Sequence, residues 1–168
     1  LPGIQQLQAV QASAAAFAAV LADGSVATWG DPRHGGRSWA VQDRLRSVRE
    51  IQANFHAFAA ILLDGSVVTW GNETRGGNSS FVRDQLKGVQ QVQATKGGAF
   101  AAILADGSVV TWGDPHYGGD SSAVQDQLKN VQQVPATRQA FAAILADGSV
   151  VTWGSPSNGG DSSSVQDQ

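Results

Sequence analysis

Phe100-Ala-Ala-Ile-Leu-Ala-Asp-Gly-Ser-Val-Val-Thr-Trp-Gly113 is the phrase on which the fold of this chain turns. It recurs from Phe58 and from Phe141 with one variable position before the aspartate, and from Phe17 with Val20 and Ala27 as the further changes. Trp29, Trp70, Trp112 and Trp153 consequently stand 41, 42 and 41 residues apart. A fixed period near 40 residues marks stacked supersecondary units, each too small to bury its own apolar face. Residues common to all copies are expected to be scaffold, so specificity should lie where the copies disagree.

Within the phrase, Asp-Gly between two apolar runs is a strong hairpin signal. A two-residue turn at Asp106-Gly107 predicts pairing of Ile103 with Val110, Ala101 with Trp112 and Phe100 with Gly113. Each tryptophan is then expected opposite an alanine, and all four are expected to be buried and equivalent. Helix is the competing reading for Ser13–Ala22, since alanine is the best helix former. It would have to stop within ten residues, at Asp23-Gly24, so the hairpin is preferred.

Upstream, Val89-Gln-Gln-Val-Gln-Ala-Thr reads as a third strand. Downstream of Trp-Gly comes a Gly-Gly loop and then Ser-Ser-Ala-Val-Gln-Asp-Gln-Leu, read as one or two helical turns with a short outer strand as the alternative. The preferred division is a single repeat domain, 1–168, with repeats 1–44, 45–85, 86–127 and 128–168. Leu1-Pro-Gly-Ile-Gln-Gln-Leu matches Leu86-Lys-Gly-Val-Gln-Gln-Val, which leaves Val10–Ala16 as a loop insertion. Setting Leu7 on Val48 avoids the insertion but matches the strand less well. The fold class expected is all-β with short helical turns between blades.

Bulk composition narrows function by exclusion. Charged residues are 15% of the chain and the net charge is −3, without the basic footprint that nucleic acid requires. Residues 1–84 hold seven bases and seven acids, 85–168 four and seven, and no block of like charge implies a polybasic membrane signal. Cysteine is absent, which excludes disulfides and thiol chemistry. The longest apolar run, Ala14–Ala22, is far short of the ~20 residues that span a bilayer, so no membrane insertion is expected. Nothing reads as a signal peptide. Methionine is absent even at position 1, which suggests a processed product or excised fragment.

The combination of apolar strand, Asp-Gly-Ser-Val, Val-Thr-Trp-Gly and a glycine loop resembles the repeat of the regulator-of-chromosome-condensation family, also present in HECT-type ubiquitin ligases. The resemblance implies a β-propeller-like array of four blades, closed or an open arc. It covers essentially the whole chain, and it departs from the family in several places. Family repeats are about ten residues longer, and its rings usually have seven blades. Thr95-Lys-Gly-Gly and Thr137-Arg-Gln stand where the family has Cys-Gly and His. The insertion with which the founding member engages its small GTPase has no counterpart, so guanine-nucleotide exchange is not carried over.

Neither end carries a polar cap, since Leu1, Ile4 and Leu7 are as apolar as Leu86, Val89 and Val92. A closed ring, two copies completing a larger ring, or an arc covered by other chains would each satisfy them.

Chemistry-bearing residues gather in the loops after Trp-Gly. Arg33, His34, Arg37 and Trp39 come from the first copy, Arg75 and Phe81 from the second, and His116 and Tyr117 from the third. Arginine and exposed aromatics are the usual anchors of protein interfaces, which makes these eight the candidate partner-binding residues. Asp114, His116 and Asp120 could suggest a metal, but no other copy reproduces them. Asp23, Asp64, Asp106 and Asp147 are explained by the turns they open. No serine lies in a Gly-x-Ser-x-Gly elbow. Asn72-Glu-Thr and Asn78-Ser-Ser fit the glycosylation pattern, which matters only for a secreted protein.

No catalytic residue, metal or cofactor is therefore expected, and the chain does not read as an enzyme. The leading reading is a protein–protein interaction or scaffold module, an accessory subunit of a larger assembly, with homo-oligomerisation open. The alternative is a carbohydrate-binding, lectin-like propeller, which should repeat its binding residues in each blade.

Overall fold

Strands β1 (Leu7–Ala12), β2 (Ala16–Leu21) and β3 (Val26–Gly30) form the first of four three-stranded antiparallel sheets in a computed structural model that describes residues 6–165. The second sheet holds β4 (Val48–Ala53), β5 (Ala57–Leu62) and β6 (Val67–Gly71). The third holds β7 (Val89–Thr95), β8 (Ala99–Leu104) and β9 (Val109–Gly113), and the fourth β10 (Val131–Gln133), β11 (Ala140–Leu145) and β12 (Val150–Gly154). Each sheet is one blade. The third strand expected upstream of each hairpin is present. Helical turns also follow each Gly-Gly loop, as 3₁₀ segments at Trp39–Arg44, Ser80–Val82, Ser122–Gln127 and Ser163–Val165. No helix among the described residues is long and apolar enough to cross a membrane.

The hairpin forms where expected, but its register is one residue away from the expected one. Ile103 pairs with Val109, Ala101 with Thr111, Phe100 with Trp112 and Ala99 with Gly113. The cause is the turn. Gly107 N–H donates to Leu104 O and Leu104 N–H to Ser108 O, so three residues, Ala105 to Gly107, make the loop. Gly107 alone takes the left-handed conformation, with φ +79°, while Asp106 stays at negative φ. That is a type I turn closed by a glycine bulge, not the two-residue turn that needs both residues left-handed. Asp106 is held by Ser108, whose N–H and hydroxyl both donate to its Oδ1 at 2.9 and 2.6 Å. The same pair of bonds recurs at Asp23, Asp64 and Asp147. Each tryptophan thus faces a phenylalanine across the ladder, with ring centroids 5.2–5.3 Å apart.

The first blade also corrects the expected phase. Leu7 pairs with Leu21 and Val10 with Ala19, as Val48 pairs with Leu62 and Ile51 with Ala60. Leu7 therefore occupies the place of Val48, and Val10–Ala12 is strand, not inserted loop. Leu1 and Ile4 lie outside the described residues. In the fourth blade the first strand is cut short at Pro135, which has no N–H to give the ladder, and only an isolated bridge from Ala136 to Phe141 continues it.

Blades stack face to face, and the central strand is buried on both sides. Phe58, Ala60, Val68 and Trp70 pack toward the first blade, while Ala57, Ala59, Ile61 and Val67 pack toward the third. Alternation within a doubly buried strand explains its apolar run, and alanine at every other place lets the sheets approach. Among the described residues three such cores occur, one per junction. The array is accordingly an open arc with two end faces.

Backbone bonds tie each junction at both ends of the blades. The carbonyls of Gly24, Gly65 and Gly107 accept from the N–H groups of Val48, Val89 and Val131 in the following blade. At the opposite end Ala14 N–H donates to Phe55 O, Phe55 to Lys96 and Gly97 to Arg138. The turn glycine is needed twice over at a junction. A Cβ on Gly107 would fall 2.9 Å from Asn130 Cα, whereas one on Gly148, in the last blade, meets nothing within 4 Å. Gly148→Ala should therefore cost only the left-handed penalty, about 1–2 kcal/mol, and Gly107→Ala distinctly more. Urea unfolding of the two variants checks this, and equal losses would refute the junction.

Candidate functional site

The loop after each tryptophan is built the same way four times. Asp31, Asn72, Asp114 and Ser155 are each followed by one 3₁₀ turn that ends in a left-handed glycine, Gly35, Gly76, Gly118 or Gly159. Where the first residue is aspartate its Oδ1 caps the turn, accepting from Arg33 N–H at 2.7 Å and from His116 N–H at 2.9 Å. A side chain near the end of the first strand latches the loop to its own blade. Ser13 Oγ donates to His34 O, Asn54 Nδ2 to Arg75 O, Thr95 Oγ to Tyr117 O and Thr137 Oγ to Asn158 O, at 2.8–3.0 Å.

The glycine then reaches the next blade. Trp70 Nε1 donates to Gly35 O, Trp112 to Gly76 O and Trp153 to Gly118 O, each at 3.1 Å. The ring of Phe58 lies so close that a Cβ on Gly35 would fall 2.5 Å from its Cδ2, and Gly76 and Gly118 sit likewise over Phe100 and Phe141. These three tryptophans are 4% exposed, but Trp29, which no preceding loop covers, is 46% exposed. The expectation of four equivalent buried tryptophans is thereby corrected. Burial comes from the neighbouring blade, not from the hairpin. Trp39 is 77% exposed.

The eight candidate residues divide into two sets. Three belong to the junctions. His34 stacks on His56 of the second blade with centroids 5.5 Å apart, and its Nδ1 lies 3.6 Å from Asp31. Arg75 crosses into the third blade, donating to Gly97 O at 2.9 Å, pairing with Asp114 at 3.3 Å and lying 5.0 Å over the Tyr117 ring. Tyr117 in turn packs over Gly97, where a Cβ would meet its ring at 2.7 Å. Position before the first glycine is the signal that would have marked these three as junction residues, since each of the first three copies places that residue at a seam.

The other five face solvent. Arg33 and His116 are exposed beside their own Asp31 and Asp114. Arg37 lies 4.8 Å over the Trp39 ring. Phe81, one place further along its 3₁₀ turn than Trp39, is 89% exposed. Of the five, Arg37 lines the first and Phe81 the second of two consecutive grooves on the outer wall, and Trp39 stands between Ser38 and Ala40 of the first. One, of about 290 Å³, runs between the Trp39–Arg44 turn and β6, lined by Arg37, Arg44, Arg83, Trp70 and Glu73. The next, of about 510 Å³, lies between the Ser80–Val82 turn and β9, lined by Phe81, Val82, Trp112, Pro115 and Glu73. Sequence reasoning missed Arg44 and Arg83, which only the packing of each turn on the following blade brings to the groove.

Asp114 is occupied by Arg75 and by His116 Nδ1, and Asp120 accepts from Ser122 N–H. Among the described residues no three His, Cys, Asp or Glu side chains gather as a metal ligand set. His34 and His56 stack on each other at a seam. Hydrogen bonds from Ser66, Ser108 and Ser149 hold Asp64, Asp106 and Asp147 below the ordinary carboxylate range.

No protein-family model matches the chain, and no curated protein matches it. Solved structures do. The chain is similar to yeast RCC1 (Prp20) in its complex with Kap60, with TM-score 0.65 and 15% identity over 94% of this chain and 46% of that one. It is similar as well to Prp20p of Saccharomyces cerevisiae in a structure reported with its binding to Gsp1p and histones, at 0.63 and 16% over 92% and 46%. The ectodomain of the Arabidopsis thaliana receptor kinase ACR4 matches at 0.59 and 20% over 93% and 54%. The fold is thus an RCC1-like β-propeller repeat fold, and this chain spans about half the length of those proteins.

Trp112→Ala should cost about 3–5 kcal/mol, as for other buried aromatics, and Trp29→Ala much less. Acrylamide should quench Trp29 and Trp39 readily and the remaining three indoles poorly. Five equally accessible indoles would contradict the seam.

Burial holds His56 below its ordinary value of 6.5, helped by the positive charge of Arg75 and of His34 when protonated. A depressed histidine resists a proton that the unfolded chain accepts, so its contribution to stability is full above 6.5 and falls as pH drops through the folded value. His56→Gln should flatten the fall in thermal midpoint between about pH 7 and 5. An unchanged slope would show that the stack does not couple to protonation.

Proposed function

We propose that the chain is a non-enzymatic interaction module that receives a protein segment along its outer wall. The observation that carries this is the division of labour just described. The repeated residues are spent on turns and seams, while the copy-specific Arg37, Trp39 and Phe81 stand exposed beside two adjoining grooves. Aromatics and arginines in that position are typical interface anchors. Arg37, Arg44 and Arg83 around the smaller groove favour a segment with carboxylates there, and Phe81 favours an apolar side chain in the larger one.

Yeast RCC1, whose fold this is, engages Kap60, and its binding to Gsp1p and histones has been described. Protein recognition is thus compatible with the fold, although folds of this kind host unrelated functions. The fold likeness also leaves nucleotide exchange as an activity to be measured rather than assumed. A lectin would need equivalent sugar sites, whereas three of the four repeated indoles are buried in seams.

The test combines Arg37→Ala, Trp39→Ala and Phe81→Ala. Exposed substitutions are usually worth under about 0.5 kcal/mol each, so the thermal midpoint should scarcely move. A photo-crosslinking amino acid at position 39 or 81 should trap a protein adduct in cells of the source organism. The adduct at 81 should disappear when Arg37 and Trp39 are changed. Glycan-array binding at one sugar per blade, or crosslinks independent of those side chains, would overturn the proposal.

A further inference from the structure

The two end faces of the arc are the two halves of a joint that the molecule already makes three times. At each internal junction the leading face presents a stacked Phe–Trp pair, and the trailing face presents a left-handed glycine whose carbonyl receives the indole. On the first blade Phe17 and Trp29 are stacked in that way, 5.3 Å apart, with Leu7 and Val10 beside them at 54% and 45% exposure. On the fourth blade Gly159 holds φ +101°, as Gly35, Gly76 and Gly118 hold +90 to +97°. No ring lies over it, for its Cβ would meet only Thr137, at 3.8 Å. Val150 is 47% exposed, whereas Val109, its equivalent at a closed junction, is 1% exposed.

We propose that a second copy of this chain docks end to end on the first, with the Gly159 loop of one seated on Phe17 and Trp29 of the other. The equivalences specify the joint. Trp29 Nε1 donates to Gly159 O, as Trp70 donates to Gly35. Leu7 N–H donates to Gly148 O, as Val48 donates to Gly24. Val150 and Ile144 cover Leu7 and Val10. No charged side chain stands among these contact residues on either face, so no charge is buried by the contact. The interface is heterologous, and two copies related by a two-fold axis form it twice, covering all four end faces in a closed pair. This contact uses the blade faces and not the outer-wall grooves, so it stands or falls independently of the function proposed above.

Light scattering on the purified chain, from about 1 to about 100 µM, should show a species of twice the 17.4 kDa chain mass. Acrylamide quenching of Trp29 should fall as that species forms, while Trp39 stays accessible. Trp29→Glu and Val150→Lys alter opposite faces, and both residues are half exposed in the single chain, so each variant should remain folded. Either alone should raise the dissociation constant by roughly 30-fold or more, as for a central interface residue. Mixed together they should regain a pair, because one of the two joints is then unaltered. A chain that stays monomeric throughout, a pair indifferent to Val150→Lys, failure of the mixture to pair, or an open-ended series of larger species would each overturn the proposal.

Discussion

One contact organises this molecule. A tryptophan N–H meets the carbonyl of a left-handed glycine in the preceding blade, and the same glycine lies bare against the phenylalanine stacked on that tryptophan. Each part needs the others. Glycine alone can hold its backbone at φ near +95° and let the ring approach. The carbonyl satisfies an indole that would otherwise be buried unpaired. The Phe–Trp pair exists because the three-residue turn sets those two residues opposite each other. A three-stranded sheet that could not stand alone thereby becomes one member of a stack.

The seam governs which variable residues reach solvent. In the first three copies the residue beside the glycine lies at a seam whatever its chemistry: His34 stacks on His56 and Arg75 donates to Gly97 in the following blade, while Tyr117 receives Arg75 and packs against the core shared with the fourth blade. A residue a few places later, on the 3₁₀ turn, rests on the wall of the next blade with its outer side in water. Variation at the first place is restrained by packing, while variation at the second is nearly free. The unlike Trp39 and Ser122, or Phe81 and Ala123, belong to the second kind. That freedom makes the outer wall the surface able to differ between arrays built on the same frame.

The sequence was most legible where a single residue type answers a single backbone demand. Four Asp-Gly-Ser turns and their left-handed glycines could be read directly, as could the strand before each hairpin and the helical turn after each loop. It was less legible where two local solutions share one signature. Asp-Gly suits a two-residue turn, but Ser108, by donating twice to Asp106, stabilises a turn in which the aspartate need not be left-handed. The phase of the first copy was misread for a related reason. Ile4–Leu7 and Leu7–Val10 each set glutamine between apolar residues three apart, and only pairing with Ala19 and Leu21 distinguishes the two alignments.

The sequence by itself determined the repeat, the strands and the places of the turns, because these follow from period, alternation and glycine placement within some forty residues, and the resemblance of its repeated phrase implied the RCC1-like architecture. Tertiary structure alone decided which tryptophans are buried and which variable residues are available. Those properties depend on what stands in front of each blade, and identical hairpins can have different neighbours. Trp29 and Trp112 lie in nearly the same fourteen-residue phrase, yet one is half exposed and the other is sealed. The difference is a glycine carbonyl supplied from 36 residues away.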